Sequence, residues 1–250
     1  MSDLMLLAKK GKALTRSKKE ERFTAQSALT REDKEEVFRL RYDVYVAERE
    51  KAYPEADHRK RLLFDGLDPD ADIIAVKTTK GDIVGTVRAN WFDSATTYAR
   101  YSELFRVESI LGIDRRYISV CSRLAASPEH RHIRVRELLF ESIYEHGLDR
   151  NTRLCFATCA PILLRMFSKY GFREFVAPIE DPVVGTLHRT LLVLDDVAHL
   201  ERVRSPFLEI AKARRIGVEP RSRLANIFAE YERAKNLDRV VRRSELMEQR

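Results

Sequence analysis

Apolar and polar residues recur along this chain with two different periods. Between Arg31 and Tyr53, the positions Val37, Leu40, Val44 and Tyr45 keep the spacing of one helix face, and Thr30 stands where an N-cap hydroxyl is expected. Residues 70–92 hold two strand-like runs about Lys80, Gly81 and Asp82, which predicts a β-hairpin. Residues 117–127 predict a strand. Val135, Leu138, Leu139, Ile143 and Tyr144 then mark an amphipathic helix from about His130 to Leu148. Residues 153–160 read as a short buried strand, and 161–172 as a helix with Pro161 in its first turn and Gly171 ending it. Residues 189–196 predict a last strand. Residues 197–236 read as two more helices, broken near Gly217 and Pro220.

That order predicts an α/β fold, one mixed central sheet flanked by helices, with a C-terminal helical extension. The strands at 117–127 and 153–160, joined by a helix, form a parallel pair. Their carboxyl ends and the helix that follows face one crevice, where open sheets of this class bind ligands.

Charge divides the chain further. The 250 residues carry a net charge of +7, and the surplus lies at the ends. Residues 1–22 hold seven basic and three acidic side chains, residues 197–250 thirteen and eight. We therefore expect a basic N-terminal arm (1–22), a central domain (23–196) and the extension (197–250). Basic ends suit an acidic protein or a peripheral contact with an anionic membrane, or they are solvated surfaces. Interleaved glutamates and few surface aromatics argue against a nucleic-acid groove. The chain has no apolar run long enough to span a bilayer, and its N-terminal positive charge follows the short apolar stretch, the wrong order for a secretory signal. Cys121, Cys155 and Cys159 sit in apolar runs and are odd in number, which predicts reduced thiols and a cytoplasmic location. The histidines show no metal-binding spacing, so no metal is expected.

The stretch from Ser122 to Gly147, followed by residues 154–172, resembles the GNAT acyltransferase superfamily. That resemblance implies a strand-turn-helix that holds the pyrophosphate of an acyl-coenzyme A. The usual turn is Arg or Gln, two variable residues, Gly, one variable residue, then Gly or Ala. Arg131 matches its first position, but Arg134 and Arg136 occupy the two small ones. Glycine there allows close backbone approach to phosphate, which arginine does not. The tyrosine that GNAT enzymes often place four residues before the next helix's Gly-Phe is Phe167 here. Four further motifs resemble the acyl-homoserine-lactone synthases and the related N-acyl amino acid synthases: "LRYDVYV" (40–46), "FDGLD" (64–68), "GTVR" (85–88) and "CSRLA" (121–125). The matching residues are Arg41 and Tyr45, Asp65 and Asp68, Arg88, and Ser122 and Arg123. The lactone synthases usually place a glutamate two residues before the Ser; here it is Val120, which points to the N-acyl amino acid branch.

The resemblance implies transfer of a fatty acyl group from acyl carrier protein, as its phosphopantetheine thioester, to the α-amine of an amino acid, with no tightly bound cofactor. A carrier phosphodiester needs no glycine cradle, and an acidic carrier suits His130, Arg131, His132, Arg134 and Arg136. Cations at a helix start otherwise oppose its dipole. Asp65 and Asp68 are either turn formers or the base that takes the amine proton. Arg41, Arg88 and Arg123, set among apolar residues, are either ion-paired scaffolding or a binder of the acceptor carboxylate. A bulge between Cys121 and Leu124 would free a backbone N–H for the thioester oxyanion. Phe156, Leu163, Leu164 and Phe167 line an acyl tunnel or pack in the core. The alternatives are an acetyl-coenzyme A dependent GNAT N-acetyltransferase and a non-catalytic scaffold that binds an acidic protein.

Overall fold

The computed structural model describes residues 22–110, 113–131, 133–214, 228–229, 231–233 and 235. Nine strands are described: β1 (Phe23–Ser27), β2 (Ala56–Asp57), β3 (Leu62–Leu63), β4 (Asp72–Thr78), β5 (Ile83–Trp91), β6 (Ile118–Ala126), β7 (Leu154–Cys159), β8 (Arg173–Asp181) and β9 (Gly185–Val193). Seven of them form one sheet in the order β1-β4-β5-β6-β7-β9-β8, and β2 and β3 pair apart from it. Only β6 and β7 are parallel; every other neighbouring pair in the sheet is antiparallel. The helices are α1 (Arg31–Arg41), α2 (Ala95–Tyr101), α3 (Ile133–Asp149), α4 (Leu164–Tyr170), α5 (Val197–Arg202) and α6 (Leu208–Arg214).

The Thr30 hydroxyl accepts from the Asp33 amide at 3.1 Å and starts α1 as the sequence predicts. The helix then widens into seven residues of π-helix, Tyr42–Glu48, a form concentrated at functional sites. The predicted hairpin is β4–β5, turning at Gly81 (φ +96°). Its β5 half is buried almost throughout, because α1 covers one face and α3 the other. Ile74, Val76 and Val87 pack against Val135 and Leu139 of α3, while Ile73 and Ala75 face Val37 of α1. The helix α3 comes so near that a Cβ on Gly85 would lie 2.9 Å from Val135 Cγ1, so the glycine of "GTVR" is a packing requirement.

The other half of the sheet is covered by aromatic residues. Phe92, Phe105, Phe156 and Phe175 share one cluster; Phe140, Tyr170 and Phe207 share another, with Phe140 stacked on Tyr170 at 4.1 Å between centroids. Gly171 (φ +104°) ends α4 as predicted. Five strands and helices escape the sequence reading: the edge strands β1 and β8, the small pair β2 and β3, and the helix α2. The last predicted strand lies earlier than expected, at Gly185–Val193, because it pairs with β8 through a hairpin. The extension begins with α5 and α6, which part at residues 203–207. Gly217, Pro220, His132 and the arm up to residue 21 lie outside the described residues. No described helix is long and apolar enough to cross a membrane.

Candidate active site

Four of the sequence motifs converge on one buried ion-pair cluster. Arg41, the last residue of α1, points into the protein and donates to Asp68 Oδ1 at 2.7 Å. Arg88, on β5, reaches Asp65 Oδ1 at 2.5 Å and Asp68 Oδ1 at 3.1 Å, and its Nε donates to Ser122 Oγ at 3.1 Å. Arg123 Nη2 lies 2.6 Å from Asp65 Oδ2. The "FDGLD" loop is held by its own aspartates: Asp68 Oδ2 accepts from the Asp65 amide at 2.8 Å and Asp65 Oδ1 from the Leu67 amide at 3.0 Å. Turn former and ion-pair partner are therefore the same role here.

The bulge expected near Cys121–Leu124 is present. Arg88 pairs with Ser122 and Thr86 with Ala125, so two residues of β6, Arg123 and Leu124, oppose Val87 alone. Arg123 takes the left-handed conformation at φ +54°. This brings adjacent side chains, Ser122 and Arg123, into the same cluster. The ladder between β6 and β7 ends at Cys121↔Ala157, although both strands continue past it. The two strands part there.

A cavity of about 860 Å³ lies at this parting. On the α1 side it is lined by Tyr45, Tyr53, Asp65, Ser122, Arg123, Arg100 and Tyr101; on the α3 side by Leu124, Phe140, Tyr144, Leu163, Phe167 and Phe207. Cys121, Cys155, Thr158 and Cys159 lie between them. The cavity thus passes from the arginine–aspartate cluster through the seam of the sheet into an aromatic pocket. Tyr45 fixes the α1 side: its hydroxyl donates to the Leu124 carbonyl at 2.7 Å.

The predicted site residues fall into four groups. Asp65, Ser122, Arg123, Tyr45, Cys121, Leu124, Leu163 and Phe167 line the cavity. Arg41, Arg88 and Asp68 lie behind it, at 0 %, 1 % and 4 % exposure. They pair with one another and do not reach the cavity, so neither arginine is placed to bind an acceptor carboxylate. Phe156 and Leu164 do not line the cavity. Phe156 is stacked on Phe105 at 4.8 Å in the opposite core cluster, and Leu164 packs at the edge of the α4 cluster. At the turn into α3, His130 contacts Ser127 Oγ at 2.8 Å, and Arg131 forms two bonds of 2.5 Å to Glu48. Those two residues hold the turn, whereas Arg134 stays exposed.

Several cavity residues were not foreseen. Arg49 and Arg100 have no carboxylate within ion-pair distance among the described residues. Tyr53 lies under Arg123, whose Cζ is 5.0 Å from the ring centroid, and burial pushes its hydroxyl up to about 12, so it remains a proton-bearing donor. Glu180 and Asp181, at the β8–β9 turn, line the cavity without an arginine partner. The "EDPVVG" turn signal and the Ser94 cap of α2, which accepts from the Thr97 amide, could have located two of these segments.

The cluster sets its own protonation. Burial acts to raise the Asp65 pKa, but the hydrogen bonds and charges of Arg88 and Arg123 outweigh it and hold the carboxyl well below its usual range. Such a carboxylate is a poor base. The shift also carries stability. A folded-state pKa below the unfolded value of about 3.9 contributes fully above that pH and is lost as pH falls through the folded value. Urea denaturation at a series of pH values should show stability falling below about pH 4, more steeply in the wild type than in Asp65→Asn. Equal slopes in the two proteins would remove Asp65 as the source.

The family model for N-acyl amino acid synthase FeeM matches residues 36–195. Among curated proteins, none matches. Solved structures do. FeeM, an N-acyl amino acid synthase from uncultured soil microbes, shares 16% identity over 76% of this chain and 98% of that one, with a TM-score of 0.55. The acyl-homoserine lactone synthase BjaI, described as CoA-dependent and solved with SAM and isopentyl-CoA, shares 20% identity over 74% and 90%, with a TM-score of 0.54. The AHL synthase LasI shares 12% over 70% and 91%, at 0.55. These likenesses establish a GNAT-like α/β fold, and the family model, which spans more than half of the chain, places it among N-acyltransferases: the chain belongs to the N-acyl amino acid synthase FeeM family.

Proposed function

We propose that the protein transfers a fatty acyl group from acyl carrier protein to the α-amine of an amino acid. The observation that carries this reading is the cavity, which joins a cationic cluster on one side of the sheet to an aromatic pocket on the other. A thioester carbonyl held at the seam would present its acyl chain to Phe140, Phe167 and Phe207 and its oxygen to Arg123. Three guanidiniums face two carboxylates in the cluster, so it carries one excess positive charge. That charge favours the oxyanion formed when the amine attacks. A thiolate with a pKa of about 8.5 leaves without a strong acid; Tyr53 is a donor within the cavity, in place of the tyrosine that Phe167 replaces.

The acceptor needs a site for its carboxylate and a group to take its ammonium proton. Arg49 and Arg100 supply the first, since Arg41 and Arg88 are already paired. Glu180 and Asp181, two cavity carboxylates not tied to arginine, supply the second, directly or through water.

The donor assignment rests on the surface where α3 and α4 begin. Both helices follow the carboxyl ends of the parallel pair. Exposed there are Arg134, Ile133 (57 %) and Ile162 (87 %), a mixture of charge and apolar surface that fits an acidic amphipathic helix better than a free pyrophosphate. Acyl carrier protein should therefore outcompete the coenzyme A thioester of the same chain. Arg134→Glu should raise KM for the carrier-linked donor by about tenfold or more and leave KM for the coenzyme A donor unchanged. Added salt should weaken the carrier reaction. Equal turnover with the two donors, or equal effects of Arg134→Glu on both, would overturn the carrier assignment and favour coenzyme A.

A further inference from the structure

The sequence reading treats the three cysteines as reduced thiols in apolar runs, and the structure sets two of them side by side. Cys121, on β6, and Cys155, on β7, approach each other with their sulfurs 3.2 Å apart. They belong to neighbouring parallel strands, where Cys155 pairs with Ser119 and Cys121 with Ala157. Cys121 is the last residue of β6 in that ladder, and both thiols line the cavity where it passes through the seam. Cys159 lies two residues beyond the strand partner of Cys121 and shows no second thiol beside it.

We propose that Cys121 and Cys155 form an oxidisable dithiol whose conversion to a disulfide blocks the passage between the two sides of the sheet. Peroxides are the class of oxidant small enough to reach it through the cavity. One sulfur attacks the peroxide and takes up an oxygen, giving a sulfenic acid and releasing one water. The second sulfur displaces that hydroxyl, the S–S bond forms, and a second water leaves. The two sulfurs together give up two electrons, and both thiol hydrogens end in water.

The surroundings favour a reaction of the pair over a reaction of Cys159. The hydrogen bond between the two sulfurs eases ionisation of one and hinders that of the other: Cys155 is drawn down, while Cys121 is pushed up, by that bond first and by burial as well. The thiol of Cys159 is pushed up to about 12, by burial and then by Glu174, which makes it an internal control. Closing the sulfurs from contact to bonding distance requires the strands to adjust, and the ladder ends beside them. A bond at this point ties β6 to β7 where an acyl chain would cross. That effect on turnover rests on the acyl-transfer reading above; formation of the bond does not.

The test exposes the full-length protein to hydrogen peroxide, counts free thiols by maleimide tagging after denaturation, and maps cross-linked peptides by mass spectrometry. The thiol count should fall from three to one, with Cys159 still free and Cys121 joined to Cys155. Acyl transfer should be largely lost and restored by dithiothreitol. Cys121→Ser and Cys155→Ser, each measured against its own untreated activity, should resist the loss. A count that stays at three, oxidation of Cys159 ahead of the pair, or Cys121 driven to sulfinic acid without a cross-link would overturn the proposal. A mapped cross-link in a protein that transfers no acyl group would retain the dithiol and reject the acyl-transfer reading. Acyl transfer that persists through complete cross-linking would retain the disulfide and remove its blocking role.

Discussion

Asp68→Asn should be among the most destabilising single substitutions in the chain. The carboxylate faces Arg41 at 2.7 Å and Arg88 at 3.1 Å, and it also holds the Asp65 amide. Its side chain is 3% exposed and that of Arg41 0%. Asparagine keeps the shape but leaves three guanidiniums facing one carboxylate. Arg41 is already short of partners, because its Nε and Nη2 are buried without a hydrogen bond, so it has no second anion to turn to. Removing one partner of a buried pair costs about 3–5 kcal/mol, since the remaining charge stays desolvated. For a protein of this size that corresponds to a drop in melting temperature on the order of 10 °C. Thermal unfolding followed by circular dichroism reads it directly. At a temperature where the variant is folded, turnover should fall by less than about tenfold, because Asp68 does not reach the cavity. An unchanged melting temperature with turnover down about 10²-fold or more would instead make Asp68 the acid–base group.

Arg123 should behave in the opposite way. It belongs to the same cluster, yet its side chain lines the cavity. Arg123→Ala should lower turnover by about 10²–10³-fold, the usual loss when a preorganised oxyanion donor is removed. Stability should fall less than for Asp68→Asn, because Asp65 keeps Arg88 at 2.5 Å. The left-handed backbone at φ +54° is strained for arginine and alanine alike, so the substitution leaves that cost unchanged. Arg123→Lys separates two contributions. Lysine restores charge but not a planar fork, so partial recovery would assign the remainder to guanidinium geometry. Steady-state kinetics beside a melting curve on one preparation decides the matter. Full activity in Arg123→Ala would remove the residue from the reaction.

The sequence made the interior of this fold legible and left its margins obscure. Helix α1, the β4–β5 hairpin and the β6–α3–β7 crossover follow from runs long enough to show their period. The edge strand β1, with the burial pattern half-exposed, exposed, half-exposed, offers too weak a contrast between its faces. Strand β8 contains Pro178, which a reading by pattern takes as a break, although an edge strand tolerates it. The same limit applies to the site. Motif spacing found Arg41, Asp65, Asp68, Arg88 and Arg123 but could not tell which of them face the cavity, because that depends on a bulge and on the depth of the loop behind it. Phe156 and Phe167 both sit in apolar runs; one stacks in the closed core and the other lines the cavity, a difference set by which face of the sheet each occupies. Arg49, Arg100 and Asp181 lie in polar segments whose meeting is purely tertiary.

The bulge at Arg123 also bears on what length changes the chain can accept. Beyond it, Leu124 packs with the α3 cluster and Ala125 with the α1 cluster, and Gly85 still faces Ala126. Ser122 lies opposite Arg88 and Ala125 opposite Thr86, so both take one face of the sheet although they stand three residues apart. Deleting Arg123 would restore plain alternation and leave Ala125 and Ala126 opposite Thr86 and Gly85, so α3 would still begin from the same side of the strand. What the deletion removes is one of the two residues that share Val87 as their partner, and with it the guanidinium beside Asp65. The bulge is therefore how β6 carries one more side chain at the seam than its ladder with β5 requires, and its loss would be felt in the cluster rather than along the whole crossover.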